Sequence, residues 1–211
     1  VTQALFDLGP TMLGPGAVLL PGFALDDAPA LLAEVEAITA QAPLRQMLTP
    51  GGQTMSVAMS NCGALGWVSD RRGYRYDPLD PDSGRPWPAM PPLLLRLAQA
   101  AAREAGFADF QPDACLVNRY RPGDRLSLHQ DRNERDFGRP IVSVSLGLPA
   151  VFLWGGLRRA DRPRRLPLAH GDVVVWGGPS RLVYHGVLPL AEGSHPLTGA
   201  ERINLTLRRA G

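Results

Sequence analysis

A chain of 211 residues can enclose one domain with a sizeable core. Its 45% hydrophobic and 20% charged residues exclude a disordered chain, and no stretch approaches the ~18 uninterrupted apolar residues of a membrane span. A net charge of +2 does not by itself announce a nucleic-acid partner, and the two cysteines, Cys62 and Cys115, lack CxxC spacing and read as buried thiols.

The N-terminus lacks the basic-then-apolar pattern of a secretory leader, so the expected location is cytoplasmic, with no membrane. Residues 27–41 read as the first helix. Leu31, Leu32, Val35 and Ile38 recur at helical spacing, and Asp26 or Asp27 can cap the start. Residues 43–91 are a different text, with Gly and Pro at a density that breaks long elements. Met47, Met55, Met59, Trp67, Tyr74, Tyr76 and Trp87 are interspersed there. Such a segment is either an active-site lid or a long connection over a small satellite core, and composition does not separate the two. A second helix follows at 92–105, with proline in its first turn and Gly106 as its stop. From Ala114 onward the pattern is strands: 114–121, 125–130, 141–148, 150–154, 165–169, 172–177, 181–187 and 202–208. So many short strands without intervening helices suggest a sandwich or jelly roll.

Four histidines are available: His129, His170, His185 and His195. On a strand, residues two apart face the same way, so His129 and Asp131 present an imidazole and a carboxylate side by side. A second histidine from a distant strand would complete two histidines and one carboxylate. That set takes one face of an octahedral Fe(II) and leaves positions for a co-substrate and oxygen. His185, in the strand-like Leu182–Val187, is the best third ligand. His170 precedes Gly171-Asp172 and reads as a turn residue, and His195 precedes Pro196 in a loop. An HxD pair alone is a weak signal.

The C-terminal run Arg202–Arg208 alternates without exception. Ile203, Leu205 and Leu207 form one face; Arg202, Asn204, Thr206 and Arg208 form the other. Either the polar face lies in water, as on an ordinary half-exposed strand, or it lines the interior of a barrel mouth. Bidentate arginine is the natural partner of a carboxylate. Two arginines six residues apart stand ~20 Å apart on a straight strand, so they could grip the two ends of a five-carbon diacid only by folding inward. A second polar-lined strand carries Asn118 and Tyr120 on one face, and both can donate hydrogen bonds to an anion. All 22 basic residues are arginine, and Arg158, Arg159, Arg162, Arg164 and Arg165 crowd one loop. That loop lies along phosphates or is simply solvated.

Taken together, these strings resemble the AlkB family of Fe(II)- and 2-oxoglutarate-dependent nucleic-acid dealkylating dioxygenases. The resemblance runs along nearly the whole chain. It is carried by Arg45-Gln46-Met47 through Met55–Met59, by Pro86–Pro91, by FQPDACLVNRY ending at Tyr120, and by LSLHQD ending at Asp131. IVSVSLGLPA ending at Ala150, HGDVVVWGG ending at Gly178 and RINLTLR ending at Arg208 complete it.

The resemblance implies a mainly β fold with flanking helices, in which a double-stranded β-helix (jelly-roll) core carries an N-terminal nucleotide-recognition lid. The chain then divides into an extension and helix at about 1–42, a lid at 43–91, and a helix with the core at 92–211. His129, Asp131 and His185 would hold Fe(II). Asn118, Tyr120, Arg202, Asn204 and Arg208 would bind the co-substrate 2-oxoglutarate, with Arg208 on the distal carboxylate and Arg202 near the metal-chelating end. O2 is the other co-substrate. Trp67 and His129 would sandwich the flipped base. Tyr74, Arg75 and Tyr76 would meet the substrate strand, and Met59 and Arg159 would lie near the lesion.

The implied reaction is oxidative dealkylation of N-alkylated bases in single- or double-stranded DNA, or in RNA, releasing aldehyde, succinate and CO2. A monomer is expected. One position departs from the family pattern: Asn133 stands where an aspartate is expected. Asparagine keeps a carbonyl acceptor but loses the charge, which predicts a narrower gap between cationic and neutral lesions. Two rivals stand beside this reading. One is the same chemistry on tRNA, protein or a small molecule; the other is a non-catalytic cupin-like binding module.

Overall fold

The computed structural model describes residues 9–211. The opening residues of the N-terminal extension, and with them the reading on a secretory leader, lie outside the described part. Two short strands, β1 (Thr11–Gly14) and β2 (Ala17–Leu20), form a hairpin ahead of the first helix, α1 (Ala28–Gln41). Helix α1 buries Ala28, Leu31, Val35 and Ile38, one stripe at helical spacing. Its start corrects the expected aspartate cap. Asp27 occupies the capping position with helical torsions (φ −89°, ψ −8°) and makes no side-chain capping bond. A cap needs extended torsions to turn its carboxylate back on the first amides. The proline in the first turn, with its preset φ, marks the start instead.

Four strands follow: β3 (Arg45–Leu48), β4 (Thr54–Gly63), β5 (Gly66–Asp70) and β6 (Gly73–Asp77). Helix α2 (Pro92–Glu104) comes next and ends as expected. Gly106 takes φ +86°, its N–H bonds the Arg103 carbonyl, and the Phe107 N–H reaches back to Ala102. That pair of bonds is a Schellman stop, which needs a residue that tolerates the left-handed region.

The remaining strands are β7 (Ala114–Tyr120), β8 (Leu126–His129), β9 (Ile141–Gly147), β10 (Ala150–Trp154), β11 (Arg164–Leu168), β12 (Val173–Trp176), β13 (His185–Val187) and β14 (Arg202–Arg208). They form an eight-stranded sheet in the order β1-β2-β12-β9-β14-β7-β4-β3, faced by a four-stranded sheet β11-β10-β13-β8; β5 and β6 pair separately. This is the jelly roll that the strand pattern suggested.

Two expectations are corrected. Segment 43–91 holds long regular structure after all: the ten-residue β4 joins the large sheet between β3 and β7. The expected strand 181–187 is strand only from His185, because a 3-10 turn at Gly178–Ser180 runs into Arg181 and delays it.

Helices α1 and α2 cover the outer face of the large sheet. Leu31, Val35, Leu94, Leu97 and Ala101 pack there on Val117, Val142, Val144, Ile203, Leu205 and Leu207. Burial of this apolar surface is the main stabilising term. The opposite face of β14 is also closed. Arg202, Asn204, Thr206 and Arg208 are all buried, so the polar face looks into the space between the sheets rather than into water. Among the described residues no helix is long and apolar enough to cross a membrane.

Candidate active site

The antiparallel pairing of β8 with β13 sets His129 directly opposite His185, with ring centroids 4.5 Å apart. Asp131 follows two residues later, just past the end of β8. Its Oδ1 lies 3.8 Å from His129 Nε2 and its Oδ2 lies 3.8 Å from His185 Nε2. One donor atom from each of the three residues falls within 4.8 Å of the others.

Both imidazoles are held in one tautomer. His129 Nδ1 is 2.8 Å from the Ser127 carbonyl, and His185 Nδ1 is 3.0 Å from the Val183 carbonyl. A carbonyl only accepts, so each Nδ1 carries a proton, which leaves each Nε2 as the atom facing Asp131. Burial, with help from His129, pushes the His185 pKa down to about 4, against the pull of Asp131. The imidazole is therefore neutral and ready to ligate. Asp131 is buried, which opposes its charge, yet Arg208, His185 and His129 hold its carboxyl well below the usual range. Two imidazoles, that of His185 held neutral, and one anionic carboxylate are the donor set that suits Fe(II).

The two arginines of β14 have different surroundings. Arg208 donates to Asp131 Oδ2 through Nη2 (2.7 Å) and Nε (3.0 Å). Arg202 stands at the other end of the strand, 1% exposed, with its guanidinium 4.9 Å from the Tyr120 ring centroid. One nitrogen donates to Ser145 Oγ at 3.0 Å, but Nε and Nη1 have no partner. Asn118 Oδ1 is likewise unpartnered, while its amide donates to Asn204 Oδ1 at 3.2 Å. A buried guanidinium without an anion is costly, and the two orphaned Arg202 donors fit a carboxylate. The order expected for the arginines is thus reversed: Arg208 neighbours the triad and Arg202 stands away from it. The strand direction puts Arg208 beside Ala114, at the end of β7 away from Tyr120.

The expected substrate residues are distributed over three surroundings. Trp67 on β5 stacks on Tyr74 of β6, with centroids 5.5 Å apart and planes 15° apart. Its indole Nε1 reaches Asn133 Oδ1 at 3.4 Å. His129 packs on His185, with ring centroids 4.5 Å apart. Tyr74 is 45% exposed, whereas the Tyr76 hydroxyl turns inward and donates to Glu134 at 2.7 Å. Arg75 is engaged by Asp70 and Asp77. Met59 is buried opposite Asn118. Arg159 lies over the Tyr184 ring at 6.0 Å, beside His185.

Sequence reading missed Gln130, Glu134 and Arg181. Gln130 Nε2 donates to the Leu182 carbonyl at 2.6 Å, tying the β8 end to the segment before β13. Arg181, 3% exposed, donates to the Asp131 carbonyl at 2.7 Å and to the Arg139 carbonyl at 3.0 Å. The one available signal was an arginine leading a run that otherwise reads as apolar strand. His170 and His195 pair with each other away from the site, at 4.3 Å, in the turn and loop positions expected of them.

Residues 16–208 match the model of the 2OG-Fe(II) oxygenase superfamily. The chain is 60% identical over 199 residues to the alpha-ketoglutarate-dependent dioxygenase AlkB of Escherichia coli K12, covering 94% of this chain and 92% of that protein. The chain belongs to the AlkB family of 2OG-Fe(II) oxygenases. It is also 36% identical over 134 residues to the human nucleic acid dioxygenase ALKBH1, covering 61% of this chain and 34% of that longer protein. Among solved structures, that of OsALKBH1 superposes with a TM-score of 0.84 at 29% identity, covering 95% of this chain and 99% of its own. AlkB-family membership makes the chain an Fe(II)- and 2-oxoglutarate-dependent dioxygenase with the jelly-roll fold.

Proposed function

We propose that this dioxygenase removes alkyl groups from N-alkylated bases in DNA, with RNA as an alternative strand, and so repairs alkylation damage by direct reversal. The observation that carries the reading is the clustered triad of His129, Asp131 and His185 together with a buried arginine, Arg202, whose Nε and Nη1 lack a partner among the described residues.

His129 Nε2, His185 Nε2 and the Asp131 carboxylate would hold Fe(II). Arg202, with the Tyr120 hydroxyl, Asn118 and Asn204, would take the distal carboxylate of 2-oxoglutarate. Arg208 would serve the end near the metal. With iron, 2-oxoglutarate and O2 bound, the chemistry available there is oxidation of the N-alkyl carbon, which leaves as an aldehyde alongside succinate and CO2.

The chain's own task is to position and to dry the site. Phe152, Trp154 and Trp176 pack around His185 and exclude water from that side. The β3–β6 region, residues 43–91, would act as the nucleotide-recognition lid. Trp67 and Tyr74 offer a stacking platform for a base taken out of its helix, an extrusion that costs least in an unpaired strand. That platform favours a nucleobase over a protein or small-molecule substrate. The complete triad favours an enzyme over a binding module. A monomer acting in the cytoplasm completes the reading.

The test is formaldehyde release from a single-stranded oligonucleotide carrying 3-methylcytosine, with 2-oxoglutarate supplied or withheld. Release that depends on 2-oxoglutarate is expected; succinate formation without any aldehyde from the oligonucleotide would reject the substrate. In the same assay Asn133→Asp restores an anion beside Trp67. It should raise the turnover of cationic 3-methylcytosine relative to a neutral etheno adduct severalfold, and an unchanged ratio would remove Asn133 from lesion selection.

A further inference from the structure

The Asp131 side chain, 10% exposed, meets three buried charged side chains at its end of β14: Glu134, Arg181 and Arg208. Asp131 belongs to the triad. Glu134 has no part in the reading above, although its side chain is only 2% exposed. Such an anion is kept only where its partners compensate the lost water.

Its partners are specific. Glu134 Oε1 accepts from the Tyr76 hydroxyl at 2.7 Å and lies 3.5 Å from Arg208 Nε. Its Oε2 is ion-paired with Arg181 Nη2 at 3.0 Å, without the geometry of a hydrogen bond. Both arginines also hold residue 131. Arg208 grips the Asp131 carboxylate at 2.7 Å, and Arg181 grips its main-chain carbonyl at 2.7 Å. Glu134 is therefore the anion common to both clamps on Asp131. Through Tyr76 it is also the point where strand β6 is fastened to them.

We propose that Glu134 is a positioning residue that ties the Tyr76 hydroxyl on β6 to the two arginines holding Asp131, so that the seating of the β5–β6 hairpin and the orientation of the Asp131 carboxylate are set together. The proposal rests on the reading of Asp131 as a metal ligand.

The electrostatics give it direction. Arg208 now divides its charge between Asp131 and Glu134. Without the Glu134 anion, the whole guanidinium charge bears on Asp131 and competes with a metal ion for the same carboxylate. Partners of this kind, once lost, cost metal sites about 10- to 100-fold in affinity or activity. Loss of the Tyr76 hydroxyl leaves the charges in place and releases only the fastening to β6.

The experiment titrates the metal-free protein with Co(II), read by visible absorption, and separately measures aldehyde formed per succinate on a methylated oligonucleotide. Glu134→Gln should weaken Co(II) binding about 10-fold or more. Tyr76→Phe should weaken it less but lower the aldehyde-to-succinate ratio severalfold, because a loosened hairpin uncouples substrate from co-substrate consumption. In a Glu134→Ala background, where no acceptor remains for the hydroxyl, Tyr76→Phe should have no further effect on either quantity.

Co(II) affinity unchanged in Glu134→Gln, or a Tyr76→Phe effect equally large in both backgrounds, overturns the proposal. Should Glu134→Gln fail to fold, Tyr76→Phe decides alone: wild-type aldehyde per succinate then overturns it. Asp131→Ala separates the two levels, since Co(II) binding that survives it defeats the metal-ligand reading itself, whatever Glu134 does.

Discussion

The imidazole of His185 is 5% exposed and neutral, with a pKa pushed down to about 4 by burial and then by His129. An unfolded histidine titrates near 6.5. Between those two values the unfolded chain binds a proton that the folded one refuses, so stability falls as pH drops through the window. The difference amounts to about 3 kcal/mol when complete, near pH 4. Asp131 works in a lower range. Its depressed pKa adds stability that is retained above the ordinary carboxylate value and lost only as pH falls beneath it. The expected outcome is that the chelator-treated protein loses urea midpoint from about pH 6.5 downward, while His185→Gln is flatter in that window. Parallel profiles for the two proteins would mean that another group drives the acid loss.

The HxD pair and His185 were legible at this scale from residue type and spacing, although Asp131 lies just past the end of β8, where strand periodicity no longer aims it. The roles of Arg202 and Arg208 were not. Alternation says which face they share, but only the pairing of β14 with β7 says which end meets Asp131.

Strand β4 shows why a whole element escaped the sequence. Its glycine-rich surroundings read as loop, and its own residues do not alternate, because six consecutive positions from Val57 to Cys62 are buried. The polar ones among them are consumed by backbone partners. Ser60 donates to the Ala42 carbonyl, and the Asn61 amide both donates to and accepts from the Trp67 main chain. The glycines and prolines that obscured the strand punctuate its ends.

Gly63 is the decisive one. It closes β4 with φ +114°, its N–H bonds the Pro88 carbonyl, and an added Cβ would lie 2.4 Å from the Asp113 carbonyl oxygen. An L side chain there meets both a forbidden torsion and a backbone that cannot yield. Gly63→Ala should cost about 2–4 kcal/mol, torsion and clash together, measured by urea unfolding. It should also loosen the β5–β6 hairpin that follows. A cost under about 0.5 kcal/mol, the size of an ordinary surface change, would show that the turn relaxes freely.

At the scale of the molecule, charge placement rather than net charge bears on the partner. All five arginines from Arg158 to Arg165 are exposed. Their loop is fastened beside the site: the Gly155 N–H bonds the Tyr184 carbonyl and the Tyr184 N–H bonds the Gly156 carbonyl, both at 2.8 Å, one residue before His185. Two of the five have structural duties, Arg158 with Asp161 and Arg164 with the Leu13 carbonyl. The sequence could not choose between a phosphate-binding and a solvated loop, since both leave arginines in water. Only the fold fastens the start of this loop to the residue before His185.

If the loop follows a nucleic-acid strand, each phosphate it neutralises releases counterions, worth a slope of about 0.7 in log affinity against log salt for a single strand. Removing Arg158, Arg159 and Arg162 together should therefore lower that slope by up to about 2. Removing Arg96 and Arg103, exposed on α2 behind the large sheet, should leave it unchanged. The control matters because any loss of positive charge weakens binding to a polyanion at long range, whereas only contact changes the count of released ions. Equal slopes for the wild type and the loop variant would return the loop to solvent.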